Sequence, residues 1–118
     1  MGVVLKNVNL MVSDMERSLK FYQGVLGLAL DDRSAPPSMY LLEAGACKLS
    51  LDTHTQGGQV MAVGGSELGF ETDDVDGLWQ RLKDWGAEVG EIREYSFGRS
   101  FDGKDPDGHG LTVYRSRE

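Results

Sequence analysis

The chain has 118 residues, a single domain's length, with 12 Lys and Arg against 19 Asp and Glu and a net charge of −7. That balance argues against nucleic acid or an anionic membrane as the partner and is compatible with a cationic ligand. No apolar run is long enough to span a bilayer and no signal-peptide pattern is present, so the expectation is a cytoplasmic protein with no membrane partner. Cys47 stands alone, which excludes an intrachain disulfide and reads as a small apolar strand residue.

Val4 to Val12 is predicted as a strand. Val8, Leu10 and Val12 point one way, and Asn7, Asn9 and Met11 the other. Asp14 sits where an N-cap belongs, because its carboxylate can accept from the free N–H groups of a first helical turn. Met15, Ser18, Leu19, Tyr22, Val25 and Leu26 then share a helical face, and Gly27 closes the helix. Leu28 to Asp32 is a candidate short strand, followed by the Ser34-Ala35-Pro36-Pro37 loop. Met39–Glu43 and Cys47–Asp52 read as a hairpin, with Leu49 and Leu51 on one face and Lys48, Ser50 and Asp52 on the other. His54 to Ser66 reads as a connecting segment whose paired glycines, Gly57-Gly58 and Gly64-Gly65, bracket Met61, Ala62 and Val63.

The pattern then repeats. Asn7 and Glu67 are 67 − 7 = 60 apart, as are Asp14 and Asp74. A repeat of this kind predicts two similar modules related by a pseudo-twofold, sharing a cleft. Module one covers about residues 1–54, the connection 55–65 and module two 66–118 of one domain. In the second copy Leu68 and Phe70 face the helix, while Glu67, Gly69 and Glu71 face the cleft. Asp74 caps a helix whose stripe is Val75, Leu78, Trp79, Leu82 and Trp85, and Gly86 ends it. Ala87–Arg93 and Arg99–Gly103 are candidate strands, and Asp105-Pro106-Asp107-Gly108 is a turn. Leu111 to Tyr114 is the last strand, with Thr112 and Tyr114 on the cleft side.

Asp14, Ser18, Phe21-Tyr22, Leu26-Gly27-Leu28 and the late Asp105-Pro106-Asp107-Gly108, in that order and spacing, resemble the vicinal oxygen chelate superfamily. That group includes glyoxalase I, extradiol dioxygenases, and fosfomycin- and bleomycin-resistance proteins. The resemblance covers nearly the whole chain. It implies an α+β fold of two βαβββ modules whose curved mixed sheets form a cup, and a homodimer, sometimes with modules exchanged.

The resemblance also places the metal-ligand positions of the superfamily's enzymes on Asn7, Ser50, Glu67 and Thr112, where only Glu67 is a good ligand. A catalytic divalent metal needs about three protein ligands and an open position. Glu71 lies four strand residues, about 13 Å, from Glu67 and cannot share an ion with it. His54 and His109 sit beside turns, where a histidine is usually solvated.

The expectation is therefore a protein that binds a small organic molecule, without the usual metal or another cofactor. Asn7, Asn9, Lys48, Ser50, Glu67, Thr112 and Tyr114 would line the site. Phe97 would cover a flat ligand and Arg99 would pair an anionic group; the plainer reading packs Phe97 on the helix and leaves Arg99 solvated. Drug sequestration is one form of this function. The alternative is a metal-dependent lyase or dioxygenase with an unusual ligand set including Glu67. A third reading makes Glu67 the general base of a metal-free enzyme.

Overall fold

In the computed structural model, residues 2–56, 59–60 and 62–116 are described. The chain divides into two compact units, Met1–Gly64 and Gly65–Glu118. Both are α+β, each with its own mixed sheet.

The first unit contains β1 (Asn7–Val12), α1 (Met15–Leu19), β2 (Met39–Ala44) and β3 (Cys47–Thr53), in sheet order β1-β3-β2. β1 runs parallel to β3, and β2 antiparallel to it. Asp14 caps α1 as expected, accepting from the Arg17 N–H at 3.1 Å. The helix does not stay α. Lys20–Val25 is π-helical, closed by a Leu26 N–H to Phe21 carbonyl bond of 3.0 Å. Leu10, Val12, Phe21, Tyr22, Leu42, Leu49 and Leu51 are buried in this unit.

The strand expected at Leu28–Asp32 reduces to one bridge, Leu30 to Leu42. The cause is local: the Asp31 carboxylate captures the Arg33 N–H at 2.8 Å, turning the chain away from the ladder. The connecting segment carries more structure than expected, a minimal antiparallel pair of β4 (Thr55–Gln56) and β5 (Gln59–Val60). Gly57, Gly58 and Met61 of that segment lie outside the described residues.

The second unit runs β6 (Glu67–Glu71), α2 (Val75–Trp85), β7 (Arg93–Tyr95), β8 (Gly98–Lys104) and β9 (Gly110–Ser116), in sheet order β6-β9-β8-β7. α2 begins at the Asp74 cap, which accepts from the Gly77 N–H at 2.9 Å, and ends at Gly86 with φ +100°. A left-handed residue at that position is most easily a glycine. Val75, Leu78 and Leu82 are buried with Phe101, Leu111 and Val113. Trp79, on the same helix, donates its indole N–H to the Gly90 carbonyl at 2.8 Å. The strand expected over Ala87–Arg93 is mostly irregular: Val89 makes a single bridge to Gly103, and the ladder starts only at Arg93. Among the described residues no helix is long and apolar enough to cross a membrane.

Candidate functional site

Strand register decides which side chains share a face, because successive residues alternate. In the second unit Glu67 pairs with Gly110, Gly69 with Thr112 and Glu71 with Tyr114. Across the next ladder Thr112 pairs with Asp102 and Gly110 with Lys104. These residues share one face. The other carries Leu68, Phe70, Phe101, Leu111 and Val113.

Two glycines leave room on the first face. A Cβ at Gly110 would come within 3.2 Å of the Glu67 Cγ, so the glutamate chain lies across the bare backbone. A Cβ at Gly69 would lie 3.8 Å from the Tyr114 ring. Beside Glu67 opens a cavity of about 330 Å³, lined also by Glu88, Asp102, Lys104 and Thr112. The Thr112 hydroxyl donates to Asp102 at 2.9 Å.

Further along the same face stands an aromatic group. Tyr95 and Phe97 stack with centroids 5.2 Å apart and planes 5° from parallel. Phe97 meets Tyr114 edge-on at 6.3 Å. Phe97 is 50% exposed and Tyr95 44%. Phe97 therefore packs on aromatic neighbours while half its surface stays open.

Arg99 is placed elsewhere. It shares the parity of Phe101 and reaches α2, where its guanidinium donates twice to Asp76, at 2.6 and 3.0 Å, and once to Glu94 at 2.8 Å. Those bonds hold the Asp76 carboxyl below its usual range and push the guanidinium's own ionisation upward. Arg99 is partly exposed but ion-paired, and it does not lie on the face that carries Glu67.

In the first unit the register places Asn7, Asn9, Lys48, Ser50 and Asp52 on one face, as the alternation predicts. Their polar groups largely engage one another. Asn7 donates to Asn9 at 2.7 Å, and the Ser50 hydroxyl to Asp52 at 3.0 Å. Lys48 bridges Asp31 and Glu43, the latter at 2.8 Å. Asp31 also receives the Arg33 guanidinium at 2.9 and 3.1 Å. The Asp31 carboxyl falls to about 2, chiefly through the Arg33 backbone N–H, then through its hydrogen bond with Glu43. Glu43 moves up because it shares that bond with Asp31.

His109 departs from the expectation of a solvated turn residue: it is only 2% exposed. Its Nδ1 accepts from the Ser66 N–H at 3.3 Å, and its own N–H donates to Asp105 at 2.9 Å. The signal in the sequence is parity: 109 alternates with 111 and 113, both buried. His54 is half-buried, with Nδ1 3.2 Å from the Val12 carbonyl.

A fold of two mixed-sheet units with this connectivity has known counterparts. The family model of the Glyoxalase/Bleomycin resistance protein/Dioxygenase superfamily matches residues 4–113, and the chain belongs to that superfamily. Among solved structures it is similar to a glyoxalase-related enzyme from Fulvimarina pelagi, with TM-score 0.82 and 21% identity over 96% of this chain and 88% of that one. It is similar to TnmS3, an antibiotic-binding protein from Streptomyces sp. CB03234, with TM-score 0.77 and 23% identity over 99% of both chains. It is also similar to a lactoylglutathione lyase from Agrobacterium tumefaciens, with TM-score 0.76 and 20% identity over 97% of this chain and 94% of that one. At these identities the likeness is one of fold. No curated protein matched the chain in sequence.

Proposed function

We propose that this protein binds a small organic molecule on the sheet face that carries Glu67, without a catalytic metal, and that it acts by sequestering that molecule. The observation that carries this reading is the cavity beside Glu67 together with the exposed Tyr95 and Phe97 rings, which pack against Tyr114 on the same face. An open ring surface offers stacking, and carboxylates and a hydroxyl offer directed hydrogen bonds. The antibiotic-binding role of TnmS3 adds support by analogy of fold.

The donor set does not fit a catalytic divalent ion. Of the positions that resemblance assigns to metal ligands, Asn7, Ser50 and Thr112 are neutral, and each is already hydrogen-bonded to a neighbour on its own sheet. Among the described residues no three His, Cys, Asp or Glu side chains are grouped to hold a metal. Thiolate, imidazole and carboxylate are what such ions need.

The test is a thermal-shift screen of antibiotics and other small organic compounds on wild type and Phe97→Ala. The expected result is one or more compounds that raise the melting temperature of wild type and lose that effect in the variant. A screen without a single stabilising compound overturns the reading. The lyase or dioxygenase alternative draws on the Glu67 carboxylate in the cavity. It requires tight stoichiometric binding of Mn, Fe, Ni or Zn that Glu67→Gln weakens, and unchanged metal affinity in that variant removes it.

We further propose a homodimer. Support comes from Val3, Val4 and Leu5, consecutive exposed aliphatic residues leading into β1, an edge strand of its sheet. Light scattering that gives the mass of one chain at micromolar concentration overturns it.

A further inference from the structure

We propose that His109 is a positioning residue for Glu67, a role that rests on reading the Glu67 cavity as the ligand site. Ser66, immediately before Glu67, is held at both of its backbone polar groups by two consecutive residues. Its N–H donates to His109 Nδ1 at 3.3 Å, and its carbonyl accepts from the Gly110 N–H at 2.6 Å. The same Gly110 lacks the side chain that would crowd the Glu67 Cγ. One corner of the fold thus fixes where the glutamate's backbone sits and leaves a lane for its side chain into the cavity.

The corner is itself braced. Asp105 is buried, and its Oδ1 accepts from the N–H groups of Asp107 and His109, each at 2.9 Å. The Asp105 N–H returns a bond to the His109 carbonyl at 2.9 Å. The imidazole is therefore presented by a closed turn, within a site almost without solvent. A backbone N–H can only donate, so Nδ1 must offer its lone pair, and the ring is the Nε2–H tautomer. An apolar side chain of similar bulk would fill the space and leave the Ser66 N–H without its acceptor.

The test uses the isotope-labelled full chain in solution, read by NMR. In wild type the imidazole nitrogens should show an unprotonated Nδ1 and a protonated Nε2. In His109→Leu the Ser66 amide should exchange with solvent about tenfold faster, the loss of one hydrogen bond. The Glu67 carboxyl resonance should also shift, while the amides of Val75–Trp85 keep their protection. His109→Asn places an oxygen where Nδ1 stood and should return both readouts to near wild type. An Nδ1–H tautomer, an unchanged Ser66 and Glu67 in His109→Leu, or an asparagine variant no better than leucine would each overturn the role. If the leucine variant does not fold, the wild-type tautomer and the asparagine variant still decide. These readouts need no ligand. A compound screen that finds nothing removes the ligand reading and leaves the hydrogen bond measured, whereas failed NMR readouts with a bound compound remove only the role of His109.

Discussion

Thr112 gives its hydroxyl to Asp102, 2.9 Å away across the β8–β9 ladder. The residue on which the sequence resemblance places a metal-ligand position is here a donor to a neighbouring strand. Cross-strand bonds of this kind on a solvated face contribute modestly. Thr112→Val should lower stability by about 0.5–1 kcal/mol in urea unfolding, and Thr112→Ser by less. A loss of several kcal/mol would show that the hydroxyl has a buried role the geometry does not reveal.

Asp31 makes the first unit acid-sensitive. Its folded carboxyl titrates at about 2, below the ordinary value for aspartate of about 3.9. A depressed carboxyl lends stability above its unfolded value, and that stability is lost as pH falls through the folded one. The loss should lie between about pH 4 and pH 2. Glu43 has the opposite sign: its raised carboxyl favours the fold when protonated, and that share fades as pH rises. Asp31→Asn should therefore lower the urea midpoint at pH 7 and converge with wild type near pH 2. A gap between the two proteins that does not change with pH would contradict the assignment.

Asp74 and Gly77 are coupled through the helix cap. A Cβ at Gly77 would fall 2.1 Å from the Asp74 Oδ2, in the space the capping carboxylate occupies. Replacing a helical glycine by alanine ordinarily gains about 1 kcal/mol, and losing an aspartate cap costs about 1 kcal/mol. Gly77→Ala alone should then change stability little, because the two effects offset each other. In an Asp74→Ala background the same substitution should be plainly stabilising. A double-mutant cycle by chemical unfolding measures the coupling, and additive effects would deny it.

Phe97 separates binding from folding. It is half exposed and borders Tyr95 and Tyr114, so Phe97→Ala should alter stability by no more than about 1 kcal/mol. For a stabilising compound from the screen, the same variant should weaken affinity at least fivefold, read by calorimetry. Equal affinity would move the ligand away from the aromatic group.

Much of the fold is legible in the chain because it depends on alternation and capping. The parity of Asn7, Asn9, Lys48 and Ser50, the caps Asp14 and Asp74, and the stop at Gly86 all arise from local stereochemistry. The features that escape a sequence reading depend on partners distant along the chain. Lys48 and Arg99 read as available to a ligand, but Asp31 with Glu43 and Asp76 with Glu94 engage them in the folded chain. No periodicity reveals which carboxylate a long cation will find. His109 escapes for another reason: the turn before it outweighs the strand parity that already places it inside.

The π-helical stretch Lys20–Val25 resolves an unevenness in the repeat. The two caps lie 74 − 14 = 60 residues apart, but the left-handed glycines just past the two helices, Gly27 and Gly86, lie only 86 − 27 = 59 apart. The first copy holds one residue more between cap and stop, and a wider turn is how a helix absorbs a single extra residue without shifting the chain beyond it. Phe21 and Tyr22, neighbours in sequence, are both fully buried within that turn. The two copies thus differ by one residue between cap and stop, and the wider turn takes up that difference inside the helix.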